Sequence, residues 1–213
     1  MARDDFYASP FGAAYSAYME RPRLGRMVAR VVWGGDPRPY YESMRAVGEV
    51  ADGGLVVDCP CGAGPALRAL VPESSVHYIG ADLSPSMLRR ARRRAVARGL
   101  DDIELIEANA CDLPIPAASA DLLLSYWGLH CFADPATALL EAARVLKPGG
   151  RLVASTFVRG RDSIRQRLLI RPGSGDFGPV GTEAELRGWL SAAGFELKSE
   201  QRSGPFFFLD GTT

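Results

Sequence analysis

Two carboxylates, Asp58 and Asp82, each end an apolar run, and a glycine turn lies between them. The first run is Leu55-Val56-Val57-Asp58. The second is Val76-His77-Tyr78-Ile79-Gly80-Ala81-Asp82. An ionised carboxylate offers two acceptor oxygens, enough to hold two neighbouring hydroxyls of a ribose. The segment Cys59-Pro60-Cys61-Gly62-Ala63-Gly64 carries the G-x-G spacing that lets backbone approach a ligand where a side chain would collide. A helix-forming stretch follows, and a helix N-terminus offers unpaired N–H groups and partial positive charge. Together these describe a nucleoside site. No G-K-[ST] follows the glycines, which excludes a Walker loop. A dinucleotide fingerprint, G-x-G-x-x-G with a distal acid, needs a third glycine where Leu67 stands.

The elements that must position these groups alternate regularly after residue 54. Apolar runs predict strands near 55–59, 76–82, 103–108, 120–126 and 150–157, with helices near 64–71, 84–99 and 134–147 between them. Ser84-Pro85 is an N-cap with proline at the first helical position, and Pro148-Gly149-Gly150 stops a helix. A last helix is expected over 182–193, then a hairpin of 195–203 and 206–209 around Gly204-Pro205. The pattern predicts an α/β protein with a Rossmann-like, doubly wound, seven-stranded sheet, mostly parallel with an antiparallel C-terminal strand. Residues 1–54 form an N-terminal helical segment (near 10–20, 22–33 and 38–50), and residues 55–213 form the main domain. Eight of the 19 aromatic residues, Tyr40 among them, lie before residue 54, so this segment is expected to act as a lid with an apolar wall.

The chain has 213 residues, 47% of them hydrophobic, enough for one domain with an ordinary core. Its formal net charge of +0 provides no general attraction for nucleic acid or an anionic membrane. The start, Met1-Ala2-Arg3-Asp4-Asp5, resembles no secretory signal, so a cytoplasmic location is expected. No apolar run approaches the ~20 residues of a membrane span. The arginines between Arg89 and Arg98 surround their helix rather than forming a stripe, which favours a solvated face over a nucleic-acid surface. Cys59, Cys61, Cys111 and Cys131 lack the paired C-x-x-C spacing of zinc sites, so no metal is expected and they read as small side chains on a pocket wall.

Five motifs then fall in order. They are Asp58-Cys59-Pro60-Cys61-Gly62-Ala63-Gly64, Asp82-Leu83-Ser84-Pro85-Ser86-Met87-Leu88, Ala110-Cys111-Asp112-Leu113-Pro114, Leu129-His130-Cys131-Phe132-Ala133-Asp134-Pro135, and Arg144-Val145-Leu146-Lys147-Pro148-Gly149-Gly150. In this series the chain resembles the small class I S-adenosylmethionine-dependent methyltransferases, with Pro60 where the first glycine is usual. The resemblance implies S-adenosyl-L-methionine as cofactor, with Pro60, Cys61, Gly62 and Gly64 passing under its methionine part. Asp58 would orient the loop or reach the ammonium group, and Asp82 would accept both ribose hydroxyls. Leu83 and Met87 would flank the adenine, with Asn109, Ala110 and Cys111 at its edge. Ser125, Tyr126 and Trp127 would end the fourth strand beside the reacting methyl.

A sulfonium methyl is already activated, so the protein's part is alignment and exclusion of water. A base is needed only for a protonated acceptor. Tyr126 and His130 are the candidate catalytic residues. His77, in mid-strand, reads as structural. The expected partner is a small, partly apolar acceptor bound by a monomer or homodimer, with no nucleic acid. The rivals are a non-catalytic S-adenosylmethionine-binding protein and an NAD(P)-dependent reductase.

Overall fold

The structure, a computed structural model, describes residues 21–73, 75–160 and 180–213. The expected helix at 10–20, the aromatics before Glu20 and most of the Arg159–Pro179 stretch lie outside the described residues.

Seven strands form one sheet in the order β3-β2-β1-β4-β5-β7-β6. They are β1 (Leu55–Asp58), β2 (His77–Asp82), β3 (Ile103–Glu107), β4 (Ala120–Tyr126), β5 (Leu146–Phe157), β6 (Glu196–Ser203) and β7 (Phe206–Thr212). The first five run parallel, and β7 inserts antiparallel between β5 and β6. The central strands read as unbroken apolar runs because both faces are covered. Leu122 and Leu124 pack on one face with Val56, while Leu123 joins Val57 and Leu152 on the other.

Helices α1 (Pro22–Val28) and α2 (Arg38–Ser43) precede the sheet. The first continues as a π turn over Ala29–Trp33 and the second as a 3₁₀ turn over Met44–Glu49. Tyr40, Met44, Ala46 and Val47 belong to the same apolar cluster as β1 and β4. This part of the N-terminal segment therefore packs as core, each large buried side chain contributing ~1.5–3 kcal/mol over exposure.

Three helices then cover the sheet: α3 (Pro85–Ala97), α4 (Pro135–Val145) and α5 (Glu183–Ala192). Each starts where a side chain accepts an otherwise unpaired N–H. Ser84 accepts from Met87 N–H, Asp134 from Thr137 N–H, and Thr182 forms a reciprocal capping box with Glu185. Pro85 and Pro135 fill the first helical positions.

Two expectations differ from the structure. The segment after the glycine turn is a five-residue 3₁₀ turn, Pro65–Ala69, not a helix over 64–71. Gly64 is left-handed there, and Ala66 and Leu67 are drawn fully into the core, so no long N-terminal dipole faces the loop. Pro148-Gly149-Gly150 does not precede β5 but lies inside it. The β4 pairing shifts register between Ala120↔Leu146 and Leu122↔Arg151, and the Pro-Gly-Gly residues occupy that irregularity.

Candidate active site

The carboxyl ends of β3, β2, β1 and β4 open into a cavity of about 620 Å³, within the range of small-molecule sites. Asp82 organises its centre. Gly62 N–H donates to one carboxylate oxygen at 2.8 Å and Ser84 N–H to the other at 2.9 Å. The acid at the end of β2 thus fixes the glycine turn after β1. A carboxylate has about four lone-pair directions, so it can accept from several donors at once. Gly62 has φ +52° and open space where a β-carbon would sit, so backbone borders the cavity there. Both features fit a ribose above the turn.

Asp58 lies immediately behind the wall, 1% exposed and outside the lining residues. The Tyr78 hydroxyl donates to its Oδ2 at 2.5 Å, while Oδ1 is buried with no hydrogen-bond partner. Burial raises its pKa to about 7, with the Asp82 charge pushing the same way and the Tyr78 hydrogen bond pulling down. Its Oδ1 is closed off from the cavity as well as unpartnered, so a group in the cavity does not reach it directly.

At the β3 side, Leu83, Met87, Asn109, Ala110 and Cys111 line the cavity. Leu83 is 59% exposed, a large apolar side chain left uncovered at the mouth. The Asn109 side-chain oxygen, expected to meet the adenine amino group, already accepts from Cys111 N–H at 3.0 Å and keeps one lone pair. Pro60, Cys61, Tyr126 and Trp127 line the other end. All four cysteines border the cavity as free thiols, and burial pushes the Cys59 and Cys61 thiols up. No group of His, Cys, Asp or Glu among the described residues is arranged to hold a metal ion.

Three predicted residues besides Asp58 are not brought to the cavity. Gly64 (φ +73°) is tied to packing, since a β-carbon would come within 2.7 Å of Leu67 Cδ1 and 3.3 Å of Ala91 Cβ. The Ser125 hydroxyl is buried without a partner behind the strand end. His130 is 5% exposed, its Nδ1 accepting from Phe157 N–H at 3.3 Å and 3.2 Å from Thr156 Oγ1, with its ring edge-on to Phe157. An Nδ1 that accepts from a backbone N–H carries no proton there, and the ring is held away from the cavity.

Tyr40 was not singled out for the site by the sequence. It comes from α2, 1% exposed, and stands edge-on to Tyr126 with ring centroids 5.0 Å apart and to Trp127 at 5.5 Å. Its hydroxyl and Trp127 Nε1 are both buried without partners. Trp127 has φ +57°, sparsely populated for a bulky residue. Its N–H donates back to Ser155 O on β5 at 2.8 Å, and Phe206 packs on its ring. Gly128 allows this turn to close, because Pro60 occupies the space beside its Cα.

A doubly wound sheet with a reversed last strand, an acid clamping a glycine turn, and an apolar cavity at the strand ends define a nucleoside-cofactor-binding α/β protein. A family model described as a methyltransferase domain matches residues 57–154. A demethylmenaquinone methyltransferase from Thermus thermophilus is 38% identical over 155 residues, covering 63% of this chain and 69% of that protein. An uncharacterized chloroplastic methyltransferase from Arabidopsis thaliana is 30% identical over 196 residues. The match covers 85% of this chain, which spans only about half (54%) of that protein. The crystal structure of a SAM-dependent methyltransferase from Aquifex aeolicus superposes with a TM-score of 0.65 at 20% identity, over 93% of this chain and 97% of that one. The chain belongs to the class I S-adenosylmethionine-dependent methyltransferase family, and its cofactor is S-adenosylmethionine.

Proposed function

We propose that this protein transfers a methyl group from S-adenosylmethionine to a small, partly apolar metabolite. One observation carries the reading. A single cavity joins the polar clamp of Asp82 and Gly62 to a wall of Tyr40, Tyr126 and Trp127 that bears no charge. The Thermus relative's name, a demethylmenaquinone methyltransferase, supports an apolar acceptor.

When bound, S-adenosylmethionine supplies a methyl on a positively charged sulfur, and the sulfur keeps the bonding electrons on transfer. The chain's own groups do the rest. Asp82 accepts from the ribose hydroxyls. Gly62 lets the backbone approach. Leu83 and Met87 flank the base. Tyr126 and Trp127 exclude water from the methyl, where alignment alone supplies much of the rate.

The arginines of α3 and its C-cap are partly committed to structure. Arg92 donates to Ile103 O, and Arg98 donates to Leu70 O. This favours a metabolite over a nucleic acid. Incubation with methyl-labelled cofactor and three acceptor pools (a solvent-extracted metabolite fraction, total RNA, and protein) tests the proposal. Label should enter the metabolite fraction. Label confined to RNA or protein sinks it.

A further inference from the structure

The net charge of zero conceals an uneven distribution. Residues 21–38 hold five arginines (Arg21, Arg23, Arg26, Arg30 and Arg38) and one acid, Asp36, a net +4. The whole chain sums to +0, so the other residues carry −4 between them. Asp36 answers only part of the local charge. Arg30 lies 2.6 Å from its carboxylate, and Arg26 and Arg38 approach at 3.6 and 3.5 Å, so three guanidiniums share one negative group. Arg21 and Arg23 are exposed and have no acidic partner among the described residues.

The same segment shows apolar side chains to water. Met27 is 58% and Val31 64% exposed, four residues apart. Arg23 lies one turn before Met27 and Arg30 one turn after it, both exposed. The opposite side is anchored. Gly25 and Ala29 are buried, Ala29 in the apolar cluster that holds Tyr40. Single exposed hydrophobics are ordinary, but two at helical spacing among uncompensated arginines form a composite surface.

Such a surface matches an anionic bilayer, whose headgroups attract the cations while the acyl boundary accepts the apolar groups. A nucleic acid would answer the arginines and give no return for Met27 and Val31. A second copy of the same face would repel it. We propose that the outward face of α1 and the π turn after it rests on an anionic lipid surface, in the headgroup layer and without crossing it. No helix among the described residues is long and apolar enough to cross a membrane. The placement suits the site. Trp33, at the end of the π turn, stands edge-on to Phe157 at 4.9 Å, and Phe157 lies 5.6 Å from Trp127 on the cavity wall. A bilayer is also where the partly apolar acceptor proposed above concentrates.

The test is sedimentation of the full chain with vesicles of phosphatidylcholine, with and without phosphatidylglycerol as about a third of the lipid. Binding should be at least ~10-fold stronger to the anionic vesicles and should weaken as salt is raised. Arg21→Gln combined with Arg23→Gln should cost ~20-fold, at ~5-fold for each arginine near the surface. Met27→Gln combined with Val31→Gln should cost ~10-fold with no change in charge. Arg89→Gln combined with Arg93→Gln removes as much charge from exposed positions on α3 and should leave binding within ~2-fold. S-adenosylhomocysteine affinity, measured by calorimetry, should stay within ~2-fold in all three variants, since none of these residues lines the cavity. No binding to anionic vesicles overturns the proposal. So does an equal loss from the α3 pair, or unchanged binding after the Met27 and Val31 substitutions. Binding to total RNA that depends on Arg21 and Arg23 but not on Met27 and Val31, with vesicles left unbound, would assign the face to nucleic acid instead.

Discussion

The ring of Pro60 fills the space that a β-carbon on Gly128 would need. Such a carbon would lie 2.2 Å from Pro60 Cδ and 2.9 Å from Cγ, with Phe132 Cζ at 3.0 Å on the other side. The two residues come from different strand ends, β1 and β4, so their contact sets the width of the cavity floor.

Gly128→Ala should therefore destabilise the protein by ~1–3 kcal/mol through overpacking and weaken S-adenosylhomocysteine binding. Pro60→Gly alone should leave binding within several-fold, with about 1 kcal/mol lost to added freedom in the unfolded chain. The double variant should recover part of the Gly128→Ala loss, since touching residues couple. Strictly additive effects in thermal unfolding and calorimetry would show that the contact does not constrain the site.

Asp82→Ala removes the acceptor for two backbone N–H groups and, under the proposed function, for the ribose. Affinity for S-adenosylhomocysteine should fall ~10-fold or more, at ~1.5–3 kcal/mol for hydrogen bonds to a charged group. The melting temperature of the free protein should also drop, by about 2–4 °C per kcal/mol lost. Unchanged affinity by calorimetry would remove Asp82 from the site.

Asp58 predicts a pH dependence of unusual sign for a carboxylate. Its folded pKa is raised to about 7, above its ordinary value of 3.8. The native state then holds a proton that the unfolded chain gives up, so this group's contribution is fully present below the ordinary value. It is lost as pH rises toward 7, on the order of 4 kcal/mol in all. Denaturant unfolding of the free protein should show this decline, and Asp58→Asn should flatten it. If Asp58 faces the cofactor's ammonium, binding favours its ionised form. Calorimetry of S-adenosylhomocysteine near pH 6.5 in buffers of different ionisation enthalpy should then register proton release, and its absence would exclude that pairing.

His130 is held by Phe157 N–H and packed against the Phe157 ring. His130→Asn should lower the melting temperature by several degrees and leave S-adenosylhomocysteine affinity unchanged. A variant of native stability that has lost methyl transfer would restore a chemical role for the imidazole.

Much of the fold was legible because local patterns and tertiary demands agree. Unbroken apolar runs such as Leu122-Leu123-Leu124 mark strands buried on both faces, and Ser84, Asp134 and Thr182 cap the helices they precede. The hairpin's insertion follows the family topology. The 3₁₀ turn after Gly64 was not legible, because Ala66 and Leu67 are good helix formers and only burial decides otherwise. At the site, residues after strand ends could be found from spacing. Tyr40 could not, because it comes from a helix distant in sequence and no motif marks it. Its only signal was the aromatic density before residue 54. Gly128 was equally hidden, since its need for a missing side chain depends on Pro60, 68 positions earlier.

The inserted position of β7 has a consequence for synthesis on the ribosome. β5 exposes its outer hydrogen-bonding edge until Phe206–Thr212 has been made, and β6, although made first, pairs among the described residues with that same stretch. A nascent chain arrested before Phe206 carries five paired strands and one unpaired segment, with the aromatic packing around Trp127 lacking Phe206 and Phe208. Sheet closure and completion of the aromatic packing around Trp127 are thus the same late event, and a chain stalled before it exposes a sheet edge open to strands of its neighbours.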